Sequence, residues 1–341
     1  MEDITKQYEA VNPSDVPVKV LRTGDKIPVV GLGTFGSDHY SNTEIADAVK
    51  NAIRLGYRHI DCAEVYMNEK EIGQAIKEVI EEGVCTREEL WITSKVWNNR
   101  HHEVEAACQM SLEDLQLDYL DLYLVHWPFP NYHAPRAGGD ARNPDSKPFS
   151  VEDYMKTWKQ MEDLVKSGKT RNIGTSNMTI AKFEATLPLM KILPAANEME
   201  LHPCFQQKEL FDYCVKNEIQ PIGYSPIGSP RRPDRDKTEG DAVDIEHPVV
   251  QKIAERIGVH PAVVCIKWAV QRGQIPIPFS VRPYQYLENL KASFKDPISE
   301  EEMKELETVD CNSRLIKGQV FLWEGAKGWE DLWDLDGKIA H

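Results

Sequence analysis

Eight short apolar runs rich in β-forming residues recur along the chain, and the gaps between them hold amphipathic stretches of helical period. The runs cover 29–33, 59–63, 90–96, 119–127, 170–176, 195–201, 220–225 and 275–280. Helices are predicted over 43–55, 69–82, 103–115, 151–167, 180–190, 208–217, 249–257, 261–272, 284–293 and 299–309. In the first of these Ile45, Val49 and Ile53 recur at four-residue spacing, and in the second Ile72, Ile76, Val79 and Ile80 share one face. Ser299, three residues before Glu302, predicts a capping box for the last helix. Such alternation dictates parallel strands joined by right-handed crossovers. Eight units close most naturally into an α/β fold, the (β/α)8 TIM barrel, whose chemistry sits at the carboxyl ends of the strands.

The remaining segments fit around that barrel. Residues 17–21 and 27–30 flank Thr23-Gly24-Asp25 and read as an N-terminal hairpin. The domain reading is an N-terminal extension at 1–16, one barrel at 17–310 and a C-terminal tail at 311–341, with extended loops at 128–150 and 227–246. The tail carries Trp323, Trp329 and Trp333, too much apolar surface to leave in water. It is expected either to lie over the barrel mouth or to form a subunit contact, which leaves monomer and homodimer open.

Composition narrows the function classes. Forty Lys and Arg against 55 Asp and Glu give a net charge of −15, which repels a phosphate backbone and speaks against a nucleic-acid partner. The seven cysteines stand singly, a pattern of reduced thiols in a cytoplasmic setting, with no metal site implied. No apolar run approaches the roughly 18 residues of a membrane span, and Met1 to Lys6 lack the basic-then-apolar order of a secretory signal.

Gly31-Leu32-Gly33-Thr34-Phe35-Gly36 fits the G-x-G-x-x-G pattern, but its surroundings do not fit a dinucleotide fold. That fingerprint needs a helix opening within the glycines, and here Ser37 to Ser41 intervene. The segment reads instead as a glycine-rich strand end at a pocket mouth.

Four polar residues converge on that mouth. Asp61 ends the second strand and Tyr66 follows it, Lys95 lies in the apolar third strand, and His126 closes the fourth. A buried Lys or Asp is costly unless paired, so Asp61 and Lys95 on neighbouring strands are expected to pair. A charged Lys95 would lower the pKa of a nearby phenol from ~10, making Tyr66 a general acid, with His126 orienting a carbonyl oxygen. A purely structural ion pair is the alternative for Asp61 and Lys95. Convergence of all four on one mouth favours chemistry.

Residues 56–69, Gly-Tyr-Arg-His-Ile-Asp-Cys-Ala-Glu-Val-Tyr-Met-Asn-Glu, resemble the first signature of the aldo-keto reductases, a superfamily that includes aldose and xylose reductases. Residues 124–128, 168–177 and 224–228 are similar to further stretches of that family, in the same order. The resemblance runs from about Val18 to Asp310. It implies a NAD(P)-dependent oxidoreductase, of the reductase or alcohol dehydrogenase type, in which hydride moves to or from C4 of a nicotinamide. Asp61, Tyr66, Lys95 and His126 would form the catalytic tetrad. Ser176, Asn177 and Glu198 would meet the carboxamide, and Tyr224 would stack under the ring. Thr34, Ser225, Ile227, Ser229, Ser280, Val281, Arg282 and Gln285 would line the rest of the cofactor site, with Glu288 and Asn289 at the adenine.

Departures from the family pattern set further expectations. Most relatives carry Gln where this chain has Glu198, and an added anion would favour the oxidised ring. Phe279 and Gln285 stand where NADP-preferring members carry Lys and Arg, so NAD(H) or NADP(H) is expected with a lean to NAD or dual use, Arg282 being a substitute cation. Arg231 and Arg232 replace an acidic lid residue and would reach a pyrophosphate or else face water. Phe35, Trp97, Trp127 and Phe129 would line the substrate mouth. The polar insertion 130–147 points to a sugar, polyol or other hydroxylated substrate; its Arg136 and Arg142 would hold an anionic group such as a phosphate or carboxylate, or else the loop faces water. The rival readings are a cofactor-binding regulatory subunit with little turnover and a non-redox barrel lyase or isomerase. Protonation of Lys95 by Asp61 is the wrong electrostatics for a Schiff-base nucleophile.

Overall fold

A computed structural model describes residues 4–36, 38–130 and 146–340. Strands β1 (Val18–Val20) and β2 (Lys26–Pro28) pair antiparallel, with Lys19 opposite Ile27. Eight further strands follow: β3 (Leu32–Gly33), β4 (His59–Asp61), β5 (Trp91–Val96), β6 (Leu120–Val125), β7 (Thr170–Ser176), β8 (Ala196–Glu200), β9 (Gln220–Tyr224) and β10 (Ile275–Pro276). They form one sheet in strict chain order, every neighbouring pair parallel. The two edges then meet, because Gly31 N donates to Pro276 O and Gly33 N to Pro278 O, both at 3.0 Å. A Cβ on Gly33 would lie 2.8 Å from Ile277 O, so the seam requires a residue without a side chain there. Gly31 and Gly33 therefore serve sheet closure, with no helix opening among the residues of 31–36 that the structure describes.

Ten helices among the described residues cover this barrel. They are α1 (Asn42–Arg54), α2 (Glu69–Glu81), α3 (Val104–Leu115), α4 (Val151–Lys166), α5 (Ile180–Thr186), α6 (Lys208–Lys216), α7 (Pro248–Ile257), α8 (Pro261–Arg272), α9 (Pro283–Ala292) and α10 (Glu300–Glu307). The apolar spacing works as expected in α1, which buries Ile45, Val49 and Ile53 against the sheet. Ser299 caps α10, with the Glu302 side chain reciprocating. One expected helix is shorter. The 180–190 stretch leaves the α form after Thr186 and finishes as a 3-10 turn, where Pro188 lacks the N–H an α-helix needs.

The hairpin explains which end of the barrel can work. Ile27 is fully buried in an interior cluster with Leu21, Trp91, Ala195, Ala196 and Ile275, so the amino ends of the strands are plugged. The carboxyl ends open into a cleft. Over that opening lies the tail, with Trp323 and Trp333 buried and Asp334 paired with the enclosed Lys182 of α5.

Candidate active site

Strand register gathers the polar residues. Asp61 of β4 pairs in register with Thr93, so Lys95, two residues along β5, projects from the same face. Its ammonium is fully enclosed and lies 2.6 Å from Asp61 Oδ2 and 3.0 Å from Cys62 O. Tyr66 ends the 3-10 turn Glu64–Tyr66, which Met67 terminates in the left-handed region at φ 57°. Lys95 Nζ sits 5.2 Å from the centre of the Tyr66 ring, and His126 meets that ring edge-on at 5.8 Å. Thr34 donates to Asp61 O at 2.8 Å and so holds the end of β4.

Glu198 changes the expected electrostatics. Its side chain lines the cleft, yet its Oε1 lies 3.4 Å from Lys95 Nζ, making a second carboxylate partner for that ammonium. Burial alone would pull Lys95 down, but Asp61 and Glu198 more than reverse this and hold it charged. Enclosure pushes the Tyr66 phenol above its ordinary value; Lys95 opposes, and Asp61 and Glu198 offset that opposition. The lowered phenol pKa expected from the sequence is thus corrected. Tyr66 is held protonated. Burial, then Lys95, drives His126 well below 6.5, so its imidazole is neutral.

From this centre a cleft of about 800 Å³ runs across the strand ends. Thr34, Ser176, Asn177, Glu198, Tyr224, Ser225, Ile227, Ser229, Ser280, Arg282, Gln285, Glu288 and Asn289 all line it. Asn177, at φ 59°, donates to His126 O at 3.0 Å and accepts from Tyr224 OH at 2.8 Å, which fixes the tyrosine ring as a wall. Ser229 donates to Ser225 at 2.7 Å within the lid loop. Farther out, Ser280 donates to Gln285 at 2.6 Å and accepts from Arg282 N at 3.0 Å, leaving the Arg282 guanidinium exposed beside Tyr284. Val281 is corrected: it does not line the cleft, and its side chain packs against the main core.

The lid arginines divide. Arg231 reaches Tyr40 OH at 3.4 Å, linking the loop after β9 to the segment after β3. Arg232 is buried and committed to Asp241, Asp236 O and Ser229 O, so it is not the free pyrophosphate partner its position suggested. Its burial within a salt-bridged loop is not legible from charge alone.

At the substrate mouth Phe35 lies 5.2 Å from the Tyr66 ring and Trp97 meets His126 edge-on at 5.0 Å. Trp127 also lines the opening. Phe129 does not; it is buried behind, 5.8 Å from Trp127 and 6.1 Å from Phe321. Arg136 and Arg142 lie outside the described residues. The tail supplies residues the sequence did not single out, above all Phe321, 4.6 Å from Trp127 and 5.8 Å from Trp97. Aromatic density pointed to the tail, but nothing in it distinguishes Phe321 from Trp333, which packs behind on Trp127 and Arg314.

A second polar cluster, also missed, anchors lid and tail together. Enclosed His202 bridges Asp244 of the lid and Glu200 of β8, each at 3.0 Å. Glu200 in turn accepts from Leu315 N and Ile316 N at 2.8 and 3.0 Å. Burial opposes the imidazolium, but the two carboxylates override it and push His202 up to about 9.

Comparison with known proteins converges on one family. The model of the Aldo/keto reductase family matches residues 29–310. Aldo-keto reductase family 1 member A1 of Xenopus tropicalis is 44% identical over 308 residues, covering 88% of this chain and 91% of its own. The aldo/keto reductase slr0942 of Synechocystis is 38% identical over 320 residues, covering 92% of this chain and 95% of its own. Among solved structures, a Bombyx mori aldo-keto reductase in complex with NADP superposes with a TM-score of 0.78 at 33% identity, covering 90% of this chain and 96% of that one. A second aldo-keto reductase, complexed with NADPH, gives 0.77 at 34% identity, covering 88% and 90%.

Proposed function

The chain belongs to the aldo/keto reductase family, and from that premise we propose that it reduces a carbonyl on a small hydroxylated molecule, with Tyr66 as the general acid. The observation that carries this reading is the fixed Lys95 ammonium beneath the Tyr66 ring, held by Asp61 and Glu198, with neutral His126 opposite. Tyr66 would pass its phenolic proton to the carbonyl oxygen, and the neighbouring ammonium would stabilise the phenolate left behind. Buried His126 Nδ1 and Trp97 Nε1 have no hydrogen-bond partner among the described residues, and Trp97 offers a donor to a polar substrate. A Lys95 held charged does not suit Schiff-base chemistry, which disfavours the lyase alternative.

The cleft fits a nicotinamide dinucleotide: it is long, one wall is a fixed tyrosine ring, and Arg231 and Arg282 line it as cations for an anionic ligand. When bound, the group would supply the hydride. Tyr224 would lie against the ring, Ser176 and Asn177 beside the carboxamide, and Glu288 and Asn289 at the adenine end. The two similar solved structures hold NADP and NADPH and so lend no support to a lean towards NAD. Exposed Arg282, flanked by Ser280 and Gln285, is the cation we assign to a 2′-phosphate.

The aromatic mouth of Phe35, Trp97, Trp127 and Phe321 suits the C–H faces of a sugar, in keeping with an aldose or polyol. The test is consumption of NADPH or NADH on addition of aldoses and of apolar aldehydes, in wild type and Arg282→Ala. The reading expects aldehyde-dependent consumption, and a loss on the order of tenfold in NADPH affinity in the variant with little change for NADH. Turnover with no carbonyl substrate in either group would overturn it.

A further inference from the structure

The Lys95 chamber holds one cation and two carboxylates, Asp61 at 2.6 Å and Glu198 at 3.4 Å, all nearly or fully enclosed. Two ionised carboxylates there would leave an uncompensated negative charge away from water, an arrangement a dry interior strongly disfavours. Asp61 Oδ1 and Glu198 Oε2 are buried and receive no donor from another described group. Asp61 makes the closer contact with Lys95 and accepts its N–H directly, so Asp61 is the better-stabilised anion and the proton stays on Glu198. Burial, then the charge of Asp61, pushes Glu198 above the usual carboxylate range, with Lys95 opposing.

Resting on the nicotinamide reading of the cleft, we propose that Glu198 is a proton-holding positioning residue: protonated, it presents a neutral carboxyl to the cleft, and deprotonated, it adds an anion that favours an oxidised, positively charged ring over a neutral reduced one. The step is a simple ionisation, in which the Glu198 O–H bond breaks, the proton passes to water in the cleft and the carboxylate stays beside Lys95. No electron moves. The groups facing Glu198 are Asp61 from β4, Lys95 from β5, Tyr66 from the turn after β4 and Tyr224 from β9. Lys95 is held charged, and both phenols are pushed up by enclosure and stay neutral. His126 faces Lys95 and is already neutral. The proton on Glu198 is therefore the one this chamber can release as pH rises.

Two measurements test this. Difference infrared spectra of the purified protein without cofactor, wild type against Glu198→Gln, should show a protonated carboxyl band at neutral pH that the variant lacks; absence of that band overturns the held proton. Tryptophan quenching then gives the affinities for oxidised and reduced dinucleotide from pH 6 to 10. In wild type the oxidised-to-reduced affinity ratio should rise about tenfold or more with pH, while Glu198→Gln stays flat. Glu198→Asp, which keeps a carboxyl, should retain a slope. A flat wild type, or an equal slope in Glu198→Gln, overturns the proposal. A carboxyl band with no binding of either dinucleotide would instead overturn the nicotinamide reading, so the two failures are told apart.

Discussion

Lys95 illustrates how a single residue's cost becomes its use. An enclosed ammonium survives only with an anionic partner; Asp61 supplies the charge, and Asp61 with the Glu198 carboxyl fixes Lys95 at one point beneath the Tyr66 ring. Replacing it with Met leaves Asp61 and Glu198 facing each other without a cation. Lys95→Met is expected to lower stability by about 3–5 kcal/mol, the range for breaking a buried ion pair by removing one partner. Glu198→Gln should cost far less, since the carboxyl it replaces is already neutral. Thermal melts of the two variants at neutral pH check this; equal losses would contradict the assigned protonation. The sequence exposed Asp61, Lys95, Tyr66 and His126 because polar residues at apolar strand ends stand out. Glu198 also stood out, but its second role did not, because contact across the barrel from β8 to β5 depends on closure and not on any spacing in the chain.

At the scale of elements, lid and tail are anchored to one cluster: Glu200 at the end of β8 accepts from the tail amide Leu315 N, and His202 just after the strand bridges Glu200 to Asp244 of the lid. Asp244 and Glu200 push folded His202 up to about 9 from 6.5, so its contribution is complete below 6.5 and is expected to disappear as pH rises through 9. Hydrogen exchange at Leu315 and Ile316 should therefore accelerate above pH 9, before the barrel strands open. Exchange at these amides that is independent of pH beyond the chemical rate would contradict the anchor. Phe321 is the part of the tail that meets Trp97 and Trp127. Phe321→Ala should lower kcat/KM for carbonyl substrates by about tenfold, the scale of a buried aromatic contact, without altering dinucleotide affinity. Steady-state kinetics beside quenching titrations separate the two effects. None of this coupling was legible beforehand: the tryptophans marked the tail as buried, while the His202 cluster joins residues 42 positions apart and carries no local pattern.

For the whole molecule, periodicity was enough to reach the barrel, because each strand–helix unit buries its own apolar face and only one closed arrangement buries all eight. Boundaries moved by a few residues where a local rule intervened, as at Pro188 in the stretch after α5. Side-chain direction was less legible. Val281 and Phe129 lie beside residues that line the cleft yet turn into the core, and Arg232 is taken up by Asp241. Neighbouring positions in a loop share a place but not a direction, and packing decides the latter. The amino end is plugged, and the carboxyl end opens into a tail-covered cleft that Tyr66 lines. The most direct test of that site is Tyr66→Phe, read by kcat for carbonyl reduction and by dinucleotide affinity in the same preparation. A general acid predicts a fall of about 10²- to 10⁴-fold in kcat with affinity unchanged. Retention of wild-type kcat by a variant that has no phenolic proton to give would contradict it.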